Sequence, residues 1–149
     1  MTHIRRIVDT LIIRLKRLDA LSGVRFVREY GSDSIETPVR GMLASVGIAK
    51  TSREKGYIGG YLSSSVRGET FGAEVEIRVY APPGENGNGL SELVSELMLG
   101  LEKADEEKLI TDISASSIEF DPNLNTVFRK VSFQLEFCLC EEGQHGFSL

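Results

Sequence analysis

Apolar residues recur every three or four positions in two segments of the chain, the spacing that places side chains on one face of a helix. The first segment spans residues 3–21 and ends at Ser22 and Gly23. The second spans residues 90–104 and follows a loop that contains Pro82, Pro83 and several glycines. The sequence therefore predicts two amphipathic helices. Their predicted buried positions are Ile4, Ile7, Val8, Leu11, Leu15 and Leu18 in the first helix, and Leu90, Leu93, Val94, Leu97, Met98, Leu101 and Ala104 in the second.

Other segments alternate between apolar and polar residues with a period of two, which predicts strands that have one buried and one wet face. The clearest is 73–79, and the longest is 127–139. Shorter strands are predicted over 24–30, 39–49 and 110–120, with a turn at 121–125. The predicted inward positions of the two main strands are Ala73, Val75, Ile77 and Val79, and Val127, Arg129, Val131, Phe133, Leu135, Phe137 and Leu139.

Residues 50–72 depart from both periodicities. The segment is rich in Gly, Ser, Thr and charged residues and has few large aliphatic side chains. It is longer than the roughly 12–15 residues of most structureless connections, and segments of this length are usually functional or disordered. The sequence favours either a long loop or a protruding β-hairpin arm here, and it does not distinguish the two.

The order of elements is helix, strand, strand, loop or arm, strand, helix, strand, strand. Alternating strands joined by short connections predict a mostly antiparallel or mixed sheet, with both helices on its apolar face. We therefore expect a single α+β domain over residues 1–140, followed by a flexible C-terminal tail at 141–149. The 149 residues, 41% of them hydrophobic, are enough for one core.

Composition and charge narrow the classes of function. No apolar run approaches the roughly 20 residues that span a bilayer, so no membrane segment is expected. Cys138 and Cys140 share one face of a predicted strand, and reduced thiols in a cytoplasmic protein are the simplest interpretation. Residues 1–28 hold seven Lys or Arg and two Asp, whereas the rest of the chain holds ten basic and twenty acidic residues. This acidic balance argues against sequence-specific nucleic-acid binding, and the asymmetry is compatible with contacts between subunits.

Candidate chemical groups do not form a recognisable constellation. The glycine-rich loop before the second helix lacks the Lys-Ser/Thr pair of a phosphate-binding loop. Cys138, Cys140 and His145 lack the second half of a zinc site. His3 and His145 have no Ser, Cys or Asp partner in an order typical of a triad. We therefore expect no catalytic, cofactor-binding or metal-binding residues, and no enzyme activity.

The whole pattern resembles the tail terminator and tail completion proteins of long-tailed bacteriophages. The resemblance rests on the first amphipathic helix, the proline-opened strand at 37–39, the alternating strand that ends at 76–82, the second helix and the long strand 129–137. It implies a homo-oligomeric ring, hexameric in this family, that ends the tail tube and supports head joining. It also implies tail-tube and head-completion proteins as partners, and a location first in the host cytoplasm and then in the virion tail.

Two alternatives stay open from the sequence. The chain is compatible with another phage neck or tail-tube component, and with a small enzyme or ligand-binding α+β domain. For the assembly role, we expect exposed basic residues on the first helix and in segment 50–72 to steer docking toward acidic neighbours. These residues are Arg14, Arg17, Arg53, Lys55 and Arg67.

Overall fold

A computed structural model describes residues 4–28, 39–61, 67–84, 87, 89–105 and 108–140. Within these ranges, side chains are described except at 4–5, 52–61, 67–70 and 138–140. The fold is α+β, with a mixed, mostly antiparallel sheet of six strands and two helices. This confirms the predicted fold class. The predicted tail at 141–149, as well as His3 and His145, lies outside the described residues.

The two helices lie where the periodicity predicts them. Helix α1 spans Ile4–Lys16 and is followed by a short 3-10 turn at Asp19–Leu21. Helix α2 spans Leu90–Ala104 and begins after Gly89, which has a φ of 84°. The first helix ends earlier than the predicted residue 21, because the amides of Arg17 and Leu18 bond to carbonyls three residues back and tighten the last turn.

The strands form one sheet in the order β1-β2-β3-β6-β4, and β5 pairs with β6 beside β4. β1 and β2 are parallel, and every other pair is antiparallel. The bounds are β1 Arg25–Arg28, β2 Leu43–Tyr61, β3 Arg67–Tyr80, β4 Ile110–Ala115, β5 Glu119–Asp121 and β6 Thr126–Cys140. The parallel pair is possible because residues 29–42 separate the two strands, which gives the chain room to return to the same end of the sheet.

Segment 50–72 belongs largely to the sheet. β2 continues to Tyr61 and β3 begins at Arg67, so the described part of the segment is a β-hairpin rather than a loop. The strands pair antiparallel, with irregularities after Ile48, Arg53 and Gly56. Of the two alternatives for this segment, the hairpin is therefore the one adopted. The low apolar content of the segment did not prevent strand formation, because β2 pairs with β3 and β3 pairs with β6. These pairings supply the backbone hydrogen bonds.

The main core lies between the two helices and one face of the sheet. The predicted inward residues of α1, α2, β3 and β6 for which side chains are described are buried, except for five half-buried positions, Leu18, Leu93, Met98, Val127 and Arg129. Phe133, Leu135, Val131 and Ile77 are each exposed by 1% or less. Gly100 of α2 faces Leu18, whose methyl carbon would lie 2.9 Å from an added Cβ. The absence of a side chain at Gly100 thus lets the segment after α1 pack closely on α2.

The predicted strand 110–120 is two strands, β4 and β5, separated by residues 116–118. Within β4, the pairing with β6 shifts between Thr111 and Ser114, and Asp112 has a φ of 56°. This is a β-bulge, in which an extra residue interrupts the ladder and bends the strand. The sequence does not predict the bulge, because aspartate is one of the few residues that adopt the left-handed conformation without marking it as a glycine would.

Candidate functional site

Among the described strands, β1 lies at one edge of the sheet, and β4 and β5 lie at the other. No described strand pairs with the outer side of β1, or with the outer side of β4 and β5. Exposed strand edges carry unpaired N–H and C=O groups, which can pair with another chain. The edges are therefore the first places to look for an interaction surface.

β4 and β5 differ in how suitable they are for pairing. β4 carries the bulge at Asp112, and a bulge twists an edge strand and discourages further pairing. β5 has regular pairing with β6, in which Glu119 lies opposite Phe128, Phe120 opposite Val127 and Asp121 opposite Thr126. The edge is thus blunted along β4 and regular along β5.

Two large apolar side chains are exposed at β5. Phe120 is 59% exposed, and Ile118, just before the strand, is 50% exposed. A Cβ added at Gly87 would lie 3.2 Å from Val127 Cγ2 and 3.6 Å from Ile118 Cδ1, so the loop before α2 borders the same apolar surface. We call Ile118, Phe120 and Val127 the β5 patch. Exposed aromatic residues at a strand edge are typical of interaction sites.

The opposite edge, at β1, has a different character. Arg25 is exposed, and Val24 immediately before it is half-buried against the main core. Arg28, at the other end of β1, pairs with Asp9 of α1 at 3.4 Å. Arg25, the first residue of β1, is thus an exposed basic group on this edge.

The register places the two edges at the same level. Arg25 lies opposite Leu43, Leu43 opposite Tyr80, Tyr80 opposite Phe128, and Phe128 opposite Glu119. This set of five residues forms one row across the sheet, and we call it the edge row. It begins with an exposed arginine at β1 and ends with an exposed glutamate at β5. The Glu119 carboxylate accepts a 3.3 Å hydrogen bond from the Ser116 hydroxyl.

The face of the sheet opposite the helices, here called the open face, carries both polar and apolar groups. Its middle contains the ion pair between Lys130 Nζ and Glu76 Oε1 at 3.7 Å. One end holds a second apolar cluster, in which the Tyr80 and Phe128 rings lie 5.2 Å apart and the Arg78 guanidinium stacks 5.6 Å from the Phe128 ring. The buried members of this cluster are Val27, Val39, Leu43, Tyr80 and Phe128.

Tyr80 joins this cluster to β5. Its hydroxyl donates a 3.1 Å hydrogen bond to Asp121 Oδ2, and Asp121 Oδ1 accepts bonds from the amides of Asn123 and Leu124 in the turn before β6. Burial raises the pKa of Tyr80 above its ordinary value of 10.0, and the Asp121 carboxylate acts in the same direction while Arg78 opposes it. The contact fixes the position of β5 relative to the centre of the sheet.

A polar groove of about 210 Å³ lies beside the bulge of β4. Its lining includes Gly72, Thr111, Asp112, Gln134 and Glu136. Ligand pockets for drug-sized molecules are usually roughly 300–1,000 Å³ and mostly apolar, so this groove does not match that description. The described residues include no group of three or more His, Cys, Asp or Glu side chains placed to hold a metal ion.

Of the five predicted interaction residues, the side chains of Arg14 and Arg17 are described. Arg14 is 7% exposed, and its Nη1 donates a 3.0 Å hydrogen bond to the Ala104 carbonyl at the end of α2. The expectation that Arg14 is an exposed rim charge is therefore wrong, because the position falls on the side of α1 that packs against α2. Arg17 is exposed, as expected.

The other three predicted residues lie in the hairpin. Arg53 and Lys55 belong to β2, opposite Phe71 and Thr70 of β3, and Arg67 lies opposite Tyr61. Their side chains are outside the described set, so their role in steering docking stays a prediction. Arg25, Glu119 and the β5 patch were not predicted from the sequence. The available signal was the alternation in Ile118-Glu119-Phe120, which was treated as part of a single strand over 110–120.

Comparisons with known proteins add little. No family model matches the chain, and no curated protein matches it. Twenty-nine chains of solved structures match. One of them carries no functional description in its name, is 13% identical, and has a TM-score of 0.41 with 94% of this chain and 97% of that chain covered. None of the helices within the described residues has the length and apolar character needed to cross a membrane.

Proposed function

We propose that this chain is a structural subunit of a phage virion, a tail terminator or tail completion protein that forms a ring, ends the tail tube and supports head joining. The observation that carries the proposal is the three-stranded extension of the sheet, formed by the backbone of residues 52–61, 67–70 and 138–140. It continues past Phe71 and Phe137, whose stacked rings are the last described aromatic pair of the core along these strands.

The extension is long for a domain of this size. β3 runs from Phe71 to Arg67 beyond that aromatic pair, which is roughly 13 Å at about 3.3 Å per residue. β2 runs eight residues beyond Arg53, the residue opposite Phe71. A paired ribbon with mostly polar and small residues adds little to a core, so a role in contacting other subunits accounts for it better.

Two further observations support an assembly role. The sheet has exposed edges at both ends among the described strands, and one of these edges carries the β5 patch. The alternatives are a neck or tail-tube component, which would polymerise or bind the head by itself, and a small enzyme or ligand-binding domain. The polar groove beside β4 is below the usual size of a ligand pocket, so it gives the last alternative little support.

The test uses tail-tube subunits encoded in the same phage genome. Tubes are polymerised with and without the purified chain and examined by negative-stain electron microscopy. We expect shorter tubes with a ring of extra density at one end. A variant that lacks residues 56–65 tests the role of the hairpin, since it keeps the described core but loses the tip of the hairpin. It should fold, and it should cap tubes poorly.

Two results would argue for an alternative. Polymerisation of the chain alone into tubes would indicate a tail-tube subunit. Normal tails with attached heads from phage that lack the gene would remove the assembly role altogether.

A further inference from the structure

We infer that the β5 edge of one copy docks against the β1 edge of a second copy, with Phe120 as the apolar anchor and Glu119 paired with Arg25. The inference rests on the proposed function and adds the surface and the partner. The occupant of the exposed β5 edge is thus a second copy of this chain, and the same contact repeated head to tail builds the ring.

Strand direction is the first argument. β1 and β2 run parallel, and each later neighbour in the sheet is antiparallel to the one before it, so β5 runs opposite to β1. Rotation about an axis parallel to the strands leaves strand directions unchanged. The β5 edge of one copy and the β1 edge of the next would therefore form an antiparallel pair, the arrangement with well-aligned hydrogen bonds.

The height of the two edges along the strand direction also favours this contact. A head-to-tail contact closes into a ring only when the two complementary surfaces lie at the same height along the ring axis. Arg25 and Glu119 are the two ends of the edge row, so they meet this condition without a shift of register. In the same register, Phe120 of one copy lies opposite Val24 of the next.

Charge and apolar surface are complementary at this level. Arg25 and Glu119 are both exposed and of opposite sign. Phe120 lies opposite Val127, one position from the edge row, and Val24 is likewise one position from Arg25 and half-buried against the core. Phe120 and Val24 lie on the helix-covered face and Glu119 and Arg25 on the open face, so the contact would bury a side chain that is 59% exposed on one face and form an ion pair on the other.

The bulge in β4 limits where this contact forms. It interrupts the pairing along β4, so the regular three-residue β5 is the better suited of these two strands for the contact. A short contact of this kind favours assembly with defined register over open-ended sheet growth.

The first experiment measures self-association by sedimentation velocity over a series of concentrations. Phe120→Ser should weaken association roughly tenfold or more, a loss that corresponds to about 1.4 kcal/mol or more and is common on truncation of an interface anchor. Leu99→Ser is the matched control, since Leu99 is 54% exposed on the outward side of α2. It should leave the association constant unchanged, and both variants should keep the thermal midpoint of the parent.

The second experiment exchanges the charges. Arg25→Glu and Glu119→Arg should each weaken association severalfold by placing like charges together, and the double exchange should restore it. The third introduces cysteines: chains with both Arg25→Cys and Glu119→Cys should give a covalent ladder of oligomers on mild oxidation. Each single-cysteine variant, which keeps Cys138 and Cys140, should not give that ladder.

The outcomes separate the two proposals. Association that is unaffected by Phe120→Ser, shows no rescue by the charge exchange and gives no ladder would overturn the edge contact while leaving the assembly role intact. A chain that stays monomeric yet caps tail tubes would also overturn the edge contact but keep the proposed function. A ladder from a chain that has no effect on tubes would support the contact and count against the terminator role.

Discussion

The two faces of β3 and β6 are built from alternating residues of the same two strands, yet they have opposite environments. On the helix-covered face, Val75, Ile77 and Phe133 are almost fully buried. On the open face, Glu76 and Lys130 form an ion pair with partly exposed side chains. The open face nevertheless ends in an apolar cluster around Tyr80 and Phe128. The comparison shows that a period of two defines which residues share a face, but not that one face is uniformly wet.

The largest expected effect is on the covered face. Phe133→Ala or Leu135→Ala should lower the free energy of unfolding by about 2–5 kcal/mol, because each removes a fully buried side chain from the main core. Chemical denaturation monitored by circular dichroism measures the change. Gln134→Ala, between them on the open face, is the control and should cost far less. Equal losses at Gln134 and Leu135 would show that the two faces are equally buried.

A second test asks whether the open-face cluster is a true second core. Phe128→Ala should cost about 2–4 kcal/mol, since the ring is 8% exposed and packs against Tyr80 and Arg78. Phe120→Ala is the matched control on the neighbouring strand, and its exposed ring should contribute less than about 0.5 kcal/mol to folding. A loss at Phe128 no greater than that at Phe120 would mean that the cluster adds nothing to stability.

A third test concerns the charged exception on the covered side. Arg14→Leu should cost about 1–3 kcal/mol, because the Ala104 carbonyl then loses a buried hydrogen-bond donor. Arg17→Leu, on an exposed position of the same helix end, should be nearly neutral. Thermal unfolding of the two variants makes the comparison. If Arg14→Leu were neutral or stabilising, the hydrogen bond would contribute less to stability than the burial of an apolar side chain in its place.

The smallest expected effect is on pH dependence at the open-face cluster. The pKa of Tyr80 is raised above 10.0 in the folded chain, so the unfolded chain releases this proton first as the pH rises. The stabilising contribution is complete below pH 10 and declines above it. Denaturation at pH 9 and pH 11 should show a smaller loss in Tyr80→Phe than in the parent, with the other tyrosines as a common background. An identical loss in both proteins would contradict the burial of Tyr80.

Most of the framework was predictable from the sequence because burial follows periodicity. Helix α2 and the covered faces of β3 and β6 were confirmed, since in each case the covered side chains are apolar apart from Arg129 of β6. The parallel β1–β2 pair and the bulge at Asp112 were not predicted. Both depend on how distant segments meet, and local alternation carries no information about that.

The candidate site was harder to predict for a related reason. The basic charge of the N-terminal segment suggested Arg14 as an interaction residue. Its position on α1 instead directs the side chain toward α2. Arg25 and Glu119 are ordinary surface residues in the sequence, ninety-four positions apart, and only the register of five strands places them at one level. The sequence signal for the β5 patch was the alternation in Ile118-Glu119-Phe120. It indicates an exposed apolar surface only when the strand is known to lie at an edge of the sheet.

The position of β6 between β3 and β4 has a consequence for how the chain is made. β6 is the last described strand to leave the ribosome, yet it pairs with β3, whose last residue precedes it by more than forty positions. Until β6 emerges, the inner edge of β3 stays unpaired. Such nascent chains are prone to associate with one another before folding is complete. A chaperone that covers this edge during synthesis should therefore raise the yield of folded subunit, whereas slower translation, which lengthens the exposed interval, should lower it.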